Sequence, residues 1–271
     1  MKALVLEAYK QFAITEVPDP EPQEGEVLVE ISACGICGSD IHGFDGSSGR
    51  RIPPIIMGHE CAGMIAGLGA GVDGWKVGDR VTMDSMLYCG RCYYCADGRT
   101  NLCEDRMVLG VSCNEFKKDG AFARFVTVPT SGLIALPDQV SFEQAAFAEP
   151  LAVSLHAVRL VDPAQGSTAI VVGAGMIGML LLQVARAKGC ERVFAVDLDA
   201  DRLDLARTLG VTDAINPKDG DPIERILDLT DGARADCSFE AVGHTQPLAT
   251  AIGGVRKGGR VGLVGNLSAT T

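Results

Sequence analysis

The sequence predicts two units: a mainly-β unit over residues 1–150, then an α/β unit with a parallel sheet over 151–271. Three observations lead there. Up to about residue 146 the apolar runs are strand-length and bounded by Gly, Pro or Asp. Beyond it, such runs alternate with helix-length amphipathic stretches, as crossover helices on a parallel sheet require. The length, 271 residues, corresponds to about two ordinary domains.

In the first unit the strand signals fall at 27–31, 62–66, 80–83 and 122–128. In the second they fall at 169–172, 192–196, 214–216, 235–240 and 260–264. A helical pattern over 176–188 is closed by Gly189, and a second over 201–209 by Gly210. A dinucleotide-binding sheet ordinarily has six strands, and five are found before the sequence stops at Thr271. The reading is therefore a five-stranded variant or a piece of a longer chain, truncated before the sixth strand.

Composition excludes several function classes. Hydrophobic residues are 47% and charged residues 22%, a globular balance. With 24 Lys+Arg against 35 Asp+Glu the net charge is −11, which leaves no basic face for nucleic acid. The opening Met1-Lys-Ala-Leu-Val-Leu-Glu7 is too short for a signal sequence, and the apolar run 176–184 is half a membrane span. Ten Cys without an export signal read as thiols in a reducing cytoplasm.

The first chemical motif is Gly173-Ala-Gly-Met-Ile-Gly178, directly after a strand and directly before a helix. Gly173 makes the tight turn, Gly175 lets backbone approach a pyrophosphate, and Gly178 permits helix-on-strand packing, with Met176 and Ile177 opening the helix. Gly67-Leu-Gly-Ala-Gly71 also follows a strand but runs into a segment that cannot be helical, so it reads as a turn. Asp197 closes the next strand, 19 residues after Gly178, where its carboxylate would accept from ribose hydroxyls and repel a 2′-phosphate. The expected cofactor is NAD. Arg202, one helix turn on, is read as a ribose contact, although it could meet a phosphate; Asp197 and Asp199 could instead simply cap a helix.

The second motif is Cys89-x2-Cys92-x2-Cys95-x7-Cys103 within a lobe over 89–103. Four close thiolates suit a closed tetrahedral zinc site. An iron–sulfur cluster is disfavoured by the last gap and by Glu104 where a Pro would follow, and two disulfides would need an oxidising compartment. The third constellation is Cys37, His59-Glu60 and Glu149. Three protein ligands with one open position is the catalytic zinc arrangement, yet each residue alone has a bland explanation: a small buried thiol, a hydrogen-bonded core imidazole. Glu149 is odder, a carboxylate in an apolar helix-like stretch.

Cys34-Gly-Ile-Cys-Gly-Ser-Asp-Ile-His42, Gly58-His-Glu-Cys-Ala-Gly63, the four-Cys lobe and Gly173–Gly178 occur here in the order found in the zinc-dependent medium-chain alcohol and polyol dehydrogenases, which the whole chain resembles. The resemblance implies a chaperonin-10-like (GroES-like) catalytic domain joined to a Rossmann domain, two zinc ions per chain, and NAD-linked oxidation of an alcohol. It implies a catalytic zinc held by Cys37, His59 and a carboxylate, Glu60 or Glu149. Ser39 would be the hydroxyl beside the substrate oxygen, His42 the outer end of a proton relay, and Asp40 the residue orienting His59. Family chains continue for several tens of residues beyond this point, and with that segment a homo-oligomer, dimer or tetramer, is expected.

Val242-Gly243 and Val264-Gly265 stand at strand ends, where they would line the nicotinamide or form ordinary turns. Glu149 followed by Pro150 resembles the sorbitol branch, which points to a secondary alcohol of a polyol. An L-threonine or a sugar-alcohol-phosphate dehydrogenase are the alternatives, and a non-catalytic zinc and nucleotide module the alternative from another class. A zinc-free quinone reductase is contradicted by both metal motifs. His156, His244 and Cys34, Cys61, Cys113, Cys190 and Cys237 read as ordinary structural residues.

Overall fold

A computed structural model describes residues 1–267. The chain divides into two units, Met1–Glu149 and Pro150–Thr271. Among the described residues, no helix is long and apolar enough to cross a membrane.

In the first unit, alternation of apolar and polar residues builds a five-stranded antiparallel sheet. Its order is Phe125–Pro129, Glu26–Gly35, Glu60–Leu68, Arg80–Met83, Leu133–Ala135. Val27 and Val29, and Val126 and Val128, send every second side chain into one core with Ile65, Val81 and Met83. A second, three-stranded sheet joins Gln11–Glu16, Lys2–Ala8 and Ile55–Ile56.

Residues 122–128, read from sequence as one strand, are divided between these sheets. Phe122 accepts from the Leu4 amide at 2.8 Å, the Arg124 amide donates to Lys2, and Ala123 bridges Ala3. Only Phe125–Pro129 continues along Glu26–Gly35. The glycine-rich 67–71 stretch is a turn, as expected: Gly69 N–H donates to Glu26 and Gly25 N–H to Ala70.

The second unit is a five-stranded parallel sheet ordered Asp213–Ile215, Arg192–Val196, Thr168–Val172, Ala235–Glu240, Val255–Leu263. Beyond their first residues, Thr168–Val172 and Arg192–Val196 are apolar and buried on both faces because helices cover both. One face buries Val171, Leu181, Leu182, Ala195 and Phe239, the other Ile170, Val172, Phe194 and Ile226. The order reverses between Thr168–Val172 and Ala235–Glu240, the switch point at which open α/β sheets bind ligands. Helix Met176–Lys188 ends at Gly189, in the left-handed region, and helix Ala200–Thr208 is capped by Asp199, which accepts from the Asp201 and Arg202 amides. Helices Pro222–Leu229 and Thr245–Gly253 complete the crossovers. The last strand starts five residues earlier than its apolar run at 260–264, because Gly258, at φ 77°, bends rather than ends it.

Phe194 is fully buried in the second core. Phe194→Ala is expected to cost about 3–5 kcal/mol, read as a lower denaturation midpoint in urea at an unchanged m-value.

Candidate active site

Cys37 caps helix Gly38–Phe44, and its N–H donates to Asp40 Oδ2 at 3.1 Å, so the helix start fixes both residues. His59 and Glu60 stand at the head of strand Glu60–Leu68, where Glu60 pairs in register with Gly35. A Cβ at Gly35 would fall 2.3 Å from Glu60 Oε2, so the glycine makes room for that carboxylate. One donor atom each of Cys37, His59 and Glu60 lie within 4.8 Å of one another. Glu60 is 1% exposed and its Oε1 has no partner, while His59 Nδ1 faces Asp40 Oδ1 at 3.5 Å.

Such a set is electrostatically short of a cation. Burial works against the charged ring of His59, but the Asp40 carboxylate and the Cys37 thiol outweigh it and hold its pKa up at about 10. Burial, together with Glu149 and Asp40, pushes the Glu60 carboxyl up. A thiol, an imidazole and a carboxylate with an orphaned oxygen fit a zinc ion, which would supply the positive charge that the cluster otherwise draws in as a proton.

Glu149 lies outside this group. It sits in the first turn of helix Ala148–Val161, where Ser85 Oγ donates to its Oε1 at 3.1 Å. Burial raises its pKa against the opposing pull of His59 and Ser85. Ser39 is half-buried and meets Arg51, whose Nη2 donates to Ser39 Oγ at 3.4 Å and stands 3.8 Å from Asp40 Oδ1. His42 is exposed, with Nδ1 3.3 Å from Ser47 Oγ. Arg51, 5% exposed, is the residue that sequence reasoning missed. Beside Arg50 it reads as half of a solvated basic pair, and nothing in the sequence marks it as buried.

The sulfurs of Cys89, Cys92, Cys95 and Cys103 also lie within 4.8 Å of one another. Amides point at them: Cys89 N–H donates to Cys103 Sγ and Cys92 N–H to Cys89 Sγ. The Glu104 and Cys95 amides hold the Cys92 thiol down at about 6, and desolvation with the neighbouring thiols pushes Cys95 up to about 12. Four converging sulfurs with amide donors fit a closed zinc site.

In the second unit, a cavity of about 1370 Å³ opens at the switch point, lined by Gly173, Gly175, Asp197, Arg202, Lys218 and Val242 among others. Gly173 turns at φ 97°, and a Cβ at Gly178 would fall 1.8 Å from Gly173 O, whereas nothing lies within 4 Å of a Cβ at Gly175. Asp197 Oδ2 accepts from Ala174 N–H at 2.6 Å and Oδ1 from Asp199 N–H at 2.9 Å. Arg202 stands 3.9 Å from Asp197 and 3.8 Å from Asp199. Met176 and Ile177 are half-buried in the first turn of the helix, with Ile177 against the core. Val264 lines a separate cavity of about 620 Å³ with His156. Lys218, whose Nζ donates to Leu198 O at 2.9 Å, was not foreseen, since only the fold brings it to the cavity that Asp197 lines.

Comparison with known proteins agrees with this geometry. The alcohol dehydrogenase GroES-like domain family matches residues 23–138, and the zinc-binding dehydrogenase family residues 177–271. The chain is 37% identical over 268 residues to the sorbitol dehydrogenase of Bacillus subtilis strain 168, covering 98% of this chain and 75% of that one. A zinc-binding dehydrogenase of Sinorhizobium meliloti 1021 bound to NADP superposes with a TM-score of 0.92 at 33% identity, covering 100% and 78%. Galactitol-1-phosphate dehydrogenase from Escherichia coli gives 0.91 at 31% identity, covering 98% and 76%.

Arg51→Met removes one of the two cations that face the buried Asp40 in the metal-free chain, protonated His59 being the other, and is expected to destabilise that chain by about 1–3 kcal/mol in denaturant titration at neutral pH. Arg51→Lys should recover part of the loss.

Proposed function

The chain belongs to the zinc-binding alcohol dehydrogenase family and is a zinc-dependent, NAD(P)-linked alcohol oxidoreductase, and on that premise we propose that it moves hydride between a secondary alcohol of a polyol and NAD. The observation that carries the proposal is the Cys37–His59–Glu60 donor group with Ser39 nearby on the helix that Cys37 caps. A non-catalytic module would have no use for an incomplete, three-ligand set.

When bound, zinc supplies a Lewis acid for the substrate hydroxyl and the nicotinamide supplies the hydride acceptor. Cys37, His59 and Glu60 hold the metal in this proposal, with Glu149 held back by Ser85, and Cys89, Cys92, Cys95 and Cys103 hold the structural ion. Ser39 relays the hydroxyl proton: its own proton leaves as Oγ accepts the substrate's, and the Arg51 donor to that oxygen favours the negative charge while the proton is away. His42, exposed and beside Ser47, returns the proton to water. Asp40 orients His59.

In the second unit, Gly173, Gly175, Met176, Ile177 and Gly178 receive the pyrophosphate, and Asp197 with Arg202 holds the adenosine ribose. Val242 and Val264 flank the nicotinamide. Asp197 supports NAD over NADP, and Glu149-Pro150 the sorbitol-like substrate branch. A cytoplasmic homo-oligomer belongs to the same proposal, supported by the family resemblance.

The test is nicotinamide reduction with sorbitol, galactitol, 2,3-butanediol, L-threonine and primary alcohols, run with NAD and NADP separately. Turnover of a polyol with NAD is expected; turnover confined to L-threonine or to NADP would overturn the substrate or the cofactor assignment. Cys37→Ser should abolish turnover and lower bound zinc from about two ions per chain to about one. Cys95→Ser should instead cost folding yield first. Asp197→Ser should move the NAD/NADP ratio of kcat/KM by about tenfold toward NADP.

A further inference from the structure

Strand Ala235–Glu240 ends in a carboxylate that the second unit buries completely: Glu240 is 0% exposed. A charge in that position costs free energy unless something answers it. Backbone amides do so. Glu240 Oε1 accepts from Val242 N–H and from Gly243 N–H, each at 2.8 Å. The Glu240 carbonyl accepts from Val264 N–H at 2.8 Å and Gly265 N–H at 2.9 Å, and the next amide, Ala241, donates to Val172 O at 2.9 Å. One residue and its neighbour thus tie together the carboxyl ends of three adjacent strands.

The packing around it leaves no slack. A Cβ at Gly265 would fall 2.5 Å from Gly243 N and 2.9 Å from Glu240 Oε2, so the two strand-end turns close on each other over the carboxylate. A Cβ at Gly173 would fall 2.5 Å from Val242 Cγ2, so Val242 rests on the first glycine of the dinucleotide turn. Oε2 itself is buried without a hydrogen-bond partner. A group kept only for stability would have both oxygens satisfied, or would be an apolar side chain of the same size. What Glu240 supplies is direction: two amides drawn toward one oxygen set the backbone of Val242 and Gly243, and with it the side chain that faces the cavity.

We propose that Glu240 is a positioning residue for the nicotinamide half of the dinucleotide site, acting through the Val242-Gly243 and Val264-Gly265 turns. It rests on the reading that those turns flank the nicotinamide. On the same reading the adenosine half falls to other residues, Asp197 and Arg202, so the two halves can be separated by experiment.

Binding of NADH and of ADP-ribose, which lacks the nicotinamide, is measured by calorimetry on the full chain. Glu240→Ala is expected to weaken NADH about tenfold and to change ADP-ribose by less than about twofold. Glu240→Gln keeps an acceptor and removes the charge, and should weaken NADH about threefold with ADP-ribose unmoved; it carries the test if the alanine variant does not fold. Equal loss of both ligands would make Glu240 a purely structural residue, and unchanged NADH binding would make it irrelevant; either overturns the proposal. Wild-type chain that binds ADP-ribose and NADH equally well would overturn instead the placement of the nicotinamide on which it rests.

Discussion

The first unit is organised around buried negative charge that the polypeptide does not neutralise by itself. Asp40, His59 and Glu60 are each less than 7% exposed, and the buried guanidinium of Arg51 is spent on Asp40, Ser39 and the Arg50 carbonyl. A protein interior tolerates such a set when a further positive charge completes it. The local fold reads as a means of delivering the donors: a helix N-terminus for Cys37, a strand head for His59 and Glu60, and a missing side chain at Gly35 so that the carboxylate can enter. The four-sulfur lobe obeys the same rule with less protein around it, where amide donors stand in for a hydrophobic core.

The second unit solves a different problem, that of presenting backbone to the cavity at its switch point without losing the sheet. The dinucleotide turn is shaped by what sits on it: Val242 over Gly173 and Gly173 O under Gly178. Glu240 then fixes Val242 from below. The Gly-rich turn and the strand-end turns are therefore one packed object, not separate motifs that happen to be adjacent.

Features whose chemistry is local were legible in the sequence. Gly173-Ala-Gly-Met-Ile-Gly178, the four-Cys spacing and the Cys37 and His59-Glu60 pairs each carry their meaning within a few residues, and the structure brings their members together. The two-unit division and all five parallel strands were readable from period and punctuation. What escaped depends on contacts distant in sequence. Arg51 and Lys218 look like surface cations until the fold places one against Asp40 and the other beside Leu198. Glu60 and Glu149 could not be ranked from sequence, because the contact of Glu149 with Ser85, 64 residues away, and the place of Glu60 beside Cys37 and His59 exist only in the fold. Residues 122–124 carry a strand pattern that either sheet could satisfy, and the pairing with Lys2–Ala8 won.

Asp197 carries two obligations at once. Its oxygens already anchor the Ala174 and Asp199 amides, so the carboxylate that gives this corner of the cavity its charge also holds the Gly-rich turn and the next helix in place. Charge and shape at this corner are consequently inherited together. If the proposed NAD preference rests on Asp197, a lineage drifting toward a phosphorylated coenzyme would have to rebuild the anchor of the turn in the same step that removes the acid. Such a double requirement means that a single substitution of Asp197 shifts coenzyme choice only at a cost to the turn, even where Arg202 and Lys218 line the same cavity.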